Sequence, residues 1–217
     1  MTPGDVHTAR SRDAVRILFV LDRAGKPAGR GAPEGCVKIL EAEKRLQALD
    51  FWVRNPDYLA HEYLECYDQS GRRDANLLAT AAEIMSGNEP ELRRLGMLRF
   101  MFGAFEAVDT AVARLALHGL VEVQRKFSAD GRKVKQTDYL LLAAGQVAAD
   151  QLAAQPPLDW YARRASLAAQ IAGNLNGNQL KQRQYGVPEY GGQRWGRVIP
   201  PIDAKVRERL AALGVVE

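Results

Sequence analysis

Apolar positions recur at steps of three and four through most of this chain, and at steps of two in one short stretch. That contrast predicts a mainly α-helical protein with a small β-element. Ser11 is placed to cap a helix over 13–23, with Val15, Leu18, Phe19 and Asp22 near one face. Residues 25–35 hold several Gly and Pro and predict a loop. Cys36, Ile39, Ala42, Leu46, Leu49 and Val53 then form one stripe, with Lys38, Glu41, Lys44, Arg45 and Gln47 mostly off it, which predicts one long helix. Asn55-Pro56 ends that helix and starts another that continues to about Asp68. The polar stretch 69–74 is a candidate boundary between subdomains.

Three further helices are expected: 76–85, a second opened by Asn88 and Pro90 and running through Leu92, Leu95, Leu98 and Phe102, and a third over 107–118 that Gly119 ends. A short turn over 103–106 separates the last two. The period then changes. Leu120, Val121 and Val123 read as a strand, Ser128-Ala129-Asp130-Gly131 as a hairpin turn, and 134–142 as the returning strand. A helix over 143–154 follows, stopped by Pro156-Pro157. Beyond it come a helix over 158–172, a Gly/Asn linker at 173–178, and a last helix over 203–213. The order predicts three parts: an N-terminal helical subdomain at 11–69, a module at 75–154, and an extension at 157–217 suited to dimer or partner contact.

The segment LALHGLVEVQRKFSADGRKVKQTDYLLLAAGQVAADQL resembles the winged helix-turn-helix superfamily, in particular regulators of the MarR and PadR type. There a helix ends in Gly, a strand opening "GLV" follows, a basic hairpin carries "DGR", and a second strand turns into an Ala-rich helix through a "T-x-x-G" corner. Here that corner is Leu142-Ala143-Ala144-Gly145, without the Thr. The resemblance covers about a third of the chain. It implies a winged helix and, as function, a non-enzymatic regulator that binds duplex DNA as a two-fold dimer. The helix 107–118 would enter the major groove, offering Glu106, Asp109, Thr110, Arg114 and His118, of which Thr110 and Arg114 are the candidate contacts. The two acids are awkward beside phosphates. The hairpin is the better evidence: Arg125, Lys126, Arg132, Lys133 and Lys135 stand there against one acid, Asp130, and suit phosphate contact. The competing reading is a charged, solvated edge.

The N-terminal half also reads as a degenerate second winged helix, though with no clear wing. A tandem of this kind resembles the small kite subunits of SMC complexes, which implies an alternative function: an adaptor subunit of an SMC-like ATPase, acting in chromosome maintenance or phage defence by protein–protein contact. Trp160, Tyr161, Tyr185, Tyr190 and Trp195 are the candidate interface residues, for self-association or for that partner. The competing reading has these aromatics closing the chain's own core.

Composition narrows the choice little. Apolar residues make up 47% and charged residues 26%, ordinary globular values, and a formal charge of +4 permits nucleic-acid binding without demanding it. Cys36 and Cys66 are too few for a disulfide framework and are expected as buried free thiols. His7, His61 and His118 have no ligand spacing, so no metal and no cofactor is expected. No P-loop, GxSxG, HExxH or dinucleotide fingerprint is present, so no catalysis is expected either. The polar N-terminus and the lack of a long apolar run predict neither a signal peptide nor a membrane span, and hence a cytoplasmic protein.

Overall fold

A computed structural model describes residues 3–71, 73–87, 97–100, 103–105 and 108–215. The chain is mainly helical and carries one four-stranded antiparallel sheet. It divides into two compact units, each built from two separate stretches of sequence: 1–50 with 106–183, and 51–105 with 184–217. The divisions therefore fall away from the loops at 69–74 and 155–157, where composition placed them.

In the first unit, α1 (Pro3–Ala24) leads through the short strand β1 (Lys26–Pro27) to β2 (Cys36–Leu40). The helix α2 (Glu43–Arg54) begins here and carries the chain out of the unit. The chain returns with α5 (Asp109–Leu117), then β5 (Val121–Phe127), β6 (Val134–Leu142), α6 (Ala143–Ala153), α7 (Leu158–Ala172) and the first turns of α8 (Gly177–Gly186). The sheet order is β1-β2-β6-β5. The central strand β6 thus pairs on one side with its hairpin partner β5 and on the other with β2, from far earlier in the chain.

Helix α1 is the axis of this unit. Ile17, Leu18, Phe19, Val20 and Leu21 are all buried, so the helix is enclosed on every side through this turn rather than along one stripe. α5, α6, α7, β2 and β6 pack around it. Two ion pairs fix its rotation. The buried Asp22 carboxylate accepts from Lys38 Nζ of β2 at 2.6 Å, and Arg16 Nε donates to the buried Asp50 at 2.5 Å. Burial alone would lower the Arg16 pKa, but the charges and hydrogen bonds of Asp50 and Asp13 outweigh it and keep the guanidinium firmly protonated.

The second unit holds α3 (Pro56–Gln69), α4 (Ala75–Ser86), the strands β3 (Leu98–Phe100) and β4 (Gly103–Phe105), α9 (Pro188–Gly191) and α10 (Asp203–Ala212). α3 and α4 pack together, and α10 packs against both. Asp57 seats the chain before α10 by accepting from Ile202 N at 2.6 Å. Arg209 of α10 reaches Glu65 and Asp68 of α3, at 2.7 and 2.5 Å.

Several expectations need correction. The long helix predicted from Cys36 is a strand, then a corner, then a helix. Its Cys-Val-Lys-Ile-Leu stretch fits either period, and pairing with β6 decides for the strand. Ala42, at φ 68, breaks the backbone before α2 starts. Lys26 and Pro27 form a short strand inside the predicted loop. Leu98 lies in a strand and not in a helix, and residues 103–105 form its antiparallel partner and not a turn. The rest of that predicted helix, 88–96 and 101–102, lies outside the described residues. Both cysteines are free and half-buried.

Gly119 ends α5 as expected. It takes φ +66, and Leu120 N bonds back to Leu115 O at 3.0 Å. Gly145, in the corner flagged from sequence, meets a steric limit instead. A Cβ there would lie 2.2 Å from the Leu120 carbonyl oxygen and 2.8 Å from Leu141 Cδ1. An ordinary Gly→Ala change within a helix stabilises by about 1 kcal/mol. Here the clash with backbone reverses the sign, and Gly145→Ala is expected to destabilise by roughly 1–3 kcal/mol. A denaturant midpoint that rises on this substitution would contradict the packing described.

Candidate nucleic-acid interface

The β5–β6 hairpin extends beyond the part of the sheet that β2 covers. From Glu122 to Phe127 every β5 residue is exposed, and β6 is exposed at Val134 and Lys135 before Asp138 to Leu141 become buried. The turn builds itself from local bonds. Ser128 N donates to Lys133 O at 2.8 Å, Gly131 takes φ +69, and Asp130 accepts from the Ser128 hydroxyl and from Arg132 N. Those bonds hold the Asp130 carboxyl below the usual carboxylate range. The acid is thereby engaged by its own turn.

Residues 125–135 hold five of the chain's thirty Lys and Arg residues and one of its twenty-six acids. That excess equals the net charge of the whole chain, so everything outside the hairpin tip balances to neutral. Arg125, Arg132, Lys133 and Lys135 are exposed. Lys126 is different: its Nζ bonds Asp138 Oδ2 at 2.8 Å, which commits it to the hairpin itself. Apolar side chains share the tip. Phe127 and Val134 are cross-strand partners, 56% and 49% exposed, with Lys135 the extra residue of the bulge beside them.

A groove of about 810 Å³ runs alongside. One wall is the hairpin face bearing Val123, Arg125, Lys135, Thr137 and Tyr139, and another is α5, through Asp109, Val112, Ala113 and Ala116. The first turns of α2 and α8 close the far side. Gly177 sits so near α2 that a Cβ would lie 2.6 Å from Arg45 N. Arg45 donates to the carbonyls of Gly173 and Leu175, and Lys44 Nζ donates to Asn178 Oδ1 at 3.1 Å. Burial, then the charges of Glu43 and Asp109, push the Tyr139 phenol up and keep it protonated at the groove floor.

On α5, Thr110 is exposed. Arg114 is half-buried and already engaged in an interaction within the protein. The outward face therefore consists of Asp109, Thr110, Ala113, Ala116 and Leu117, the last 84% exposed, with His118 exposed at the C-cap. Glu106 lies outside the described residues.

The aromatic candidates do not form one surface. In the first unit, Trp160 and Tyr161 are buried, edge to face at 4.9 Å, with the Arg164 guanidinium over the indole. In the second, Tyr190 is fully buried against Phe51, and its hydroxyl accepts from Ala104 N at 2.6 Å. Tyr185 is half-buried beside it, with Arg99 over its ring. These side chains fill their own units. Trp195 alone of the five is well exposed, at 65%.

Asp138 is the residue that pattern reading passed over. It sits in the middle of β6, buried, and accepts from Ala42 N at 3.0 Å, from Gln136 Nε2 at 2.6 Å and from Lys126. It thus holds the left-handed Ala42 corner, the start of α2 and the root of the hairpin together. An Asp directly ahead of the apolar run Tyr139-Leu140-Leu141-Leu142 was the available signal.

Among the described residues, no three or more His, Cys, Asp or Glu stand together as metal donors, and no helix is long and apolar enough to cross a membrane. No protein-family model matches the chain, and no curated protein or solved structure is similar enough to it to count as a match.

Asp138 generates a pH prediction. Burial alone would raise its pKa, but its hydrogen bonds, with the charge of Lys126, hold the carboxyl below the ordinary range. A depressed native pKa contributes stability above the unfolded value, near 4, that is lost as pH falls through the native one. The stability difference between the wild type and Asp138→Asn should therefore be largest near neutrality and shrink as pH falls from about 5 towards 3. A difference that stays constant over that range in urea titrations would show that the carboxylate charge contributes nothing.

Proposed function

We propose that this chain is a non-catalytic winged-helix protein that binds duplex DNA through the β5–β6 hairpin, its wing, with α5 alongside. The observation that carries the reading is the charge distribution: the positive excess of the whole chain stands on one exposed hairpin tip, beside a helix and a groove. Topology supports it. In a winged helix the third strand lies between the first and the second. Here β6 lies between β2 and β5, with α1 ahead of β2 and α5 directly ahead of β5. The unit is then a winged helix interrupted by the insertion of residues 51–105 between its first strand and its wing.

A second reading, an adaptor of an SMC-like ATPase, rests on a different observation. In the second unit, Leu98 and Val198 are bridge partners, both exposed, with the exposed Trp195 three residues before Val198. Exposed aromatic and aliphatic side chains of this kind suit a protein partner. Loss of DNA affinity on changing the wing, with none on changing Trp195, separates the two.

Replacing Arg132, Lys133 and Lys135 together with Ala should weaken duplex binding across sequences. It should also flatten the dependence of log K on log salt by up to about three units. An unchanged slope in a mobility-shift titration would reject phosphate contact by the wing.

A further inference from the structure

The wing tip carries more than charge, and α5 carries less than a reading helix needs. Sequence discrimination in the major groove uses side chains that hydrogen-bond base edges. Along its length α5 turns outward two alanines, a leucine, Thr110 and Asp109, with His118 only at its C-terminal cap, and Asp109 is repelled by phosphate. Arg114, the side chain best suited to a base edge, is half-buried and engaged within the protein. The tip, by contrast, places Phe127 beside Val134 at the last register position before the turn. Both side chains are about half exposed, and the exposed Arg125, Arg132, Lys133 and Lys135 each lie within two residues of one or the other. The Lys126–Asp138 bond stiffens the ribbon below them.

Resting on the DNA reading above, we propose that this tip is an apolar wedge with a cationic collar: it enters the minor groove, Phe127 partly unstacks a base step, and the duplex is held by its backbone and deformability rather than by its sequence. The dimensions set its cost, since an undeformed duplex admits a two-stranded ribbon only in the major groove. Two paired strands about 4.8 Å apart, with side chains on both faces, exceed a minor groove about 6 Å wide. Seating the tip must therefore widen the groove, and widening it is coupled to unstacking and to a bend towards the major groove. The collar cations would lie over the phosphates of both groove edges. Their attraction offsets the deformation, which costs least at flexible pyrimidine–purine steps.

The test uses the full chain and a short mixed-sequence duplex carrying 2-aminopurine at a TA step and a donor–acceptor pair at its ends. Wild type should raise 2-aminopurine fluorescence and shorten the end-to-end distance. Phe127→Ala, a change at an exposed position, should bind with an unchanged salt slope yet give neither signal, and Phe127→Leu should restore part of both. Exchanging the flanking sequence should leave affinity unchanged. Binding by wild type without unstacking, or full unstacking by Phe127→Ala, would overturn the wedge and leave the DNA reading standing. Selection of one sequence by wild type would overturn sequence independence. No duplex binding by wild type at low salt would overturn the DNA reading and the wedge with it.

Discussion

The pairing of β2 with β6 is the constraint on which the first unit depends. It joins residues 36–40 to residues 139–142, and the Ala42–Asp138 hydrogen bond beside it spans 96 positions. Without β2, the β5–β6 hairpin would be a two-stranded ribbon, marginal in water. With it, β6 becomes a central strand buried from Asp138 to Leu141, and the exposed tip is cantilevered from a fixed root. Strand β2 also reaches α1 through Lys38 and Asp22, so sheet, axial helix and hairpin are positioned by one set of contacts. Closing this pairing requires the chain to span the 51–105 insertion first. The added entropy grows only slowly with loop length, which is how an insertion of this size is accommodated at little equilibrium cost.

Function, on the reading proposed, follows from how charges are allocated along that cantilever. Two of the three acids on the hairpin are occupied, leaving Glu122 exposed at its root: Asp138 accepts from Lys126, Gln136 and Ala42 N, and Asp130 caps its own turn. Arg125, Arg132, Lys133 and Lys135 are left facing solvent around two apolar side chains. An arrangement kept merely soluble would need no exposed Phe127, whereas one that grips a polyanion gains from both parts. The groove towards α5 is consistent with a concave path for a strand backbone, although Glu43 and Asp109 on its walls weaken it as a phosphate track.

Much of the latter half of the chain was legible because its signals are local. Gly119 and Gly131 supply left-handed turns, Pro156-Pro157 stops a helix, and strand 134–142 and helix 158–172 match the structure to the residue. The first half misled where the deciding contact is distant. Cys36 to Val53 carries a good helical stripe, yet its first five residues pair with a strand a hundred positions away. Ala42, the residue type that favours helix most, sits in the left-handed corner that Asp138 holds. The hairpin cations could be found from sequence, but their availability could not. Lys126 and Arg114 look equivalent to Arg132 in a string of letters, and only packing shows that two of the three are engaged. Three of the five aromatics drop out as interface residues for the same reason: nothing in their number shows that Trp160, Tyr161 and Tyr190 lie inside their own units.

The most direct measurement is a residue-level map of where a duplex touches the full chain, by amide chemical shifts on titrating a short mixed-sequence DNA into isotopically labelled protein at low salt. Binding through the wing predicts shifts concentrated in residues 122–136, a weaker set along the exposed face of α5, and little change in the 51–105 and 184–217 unit. Shifts confined to the Leu98, Trp195 and Val198 surface, or absent from the hairpin altogether, would contradict it.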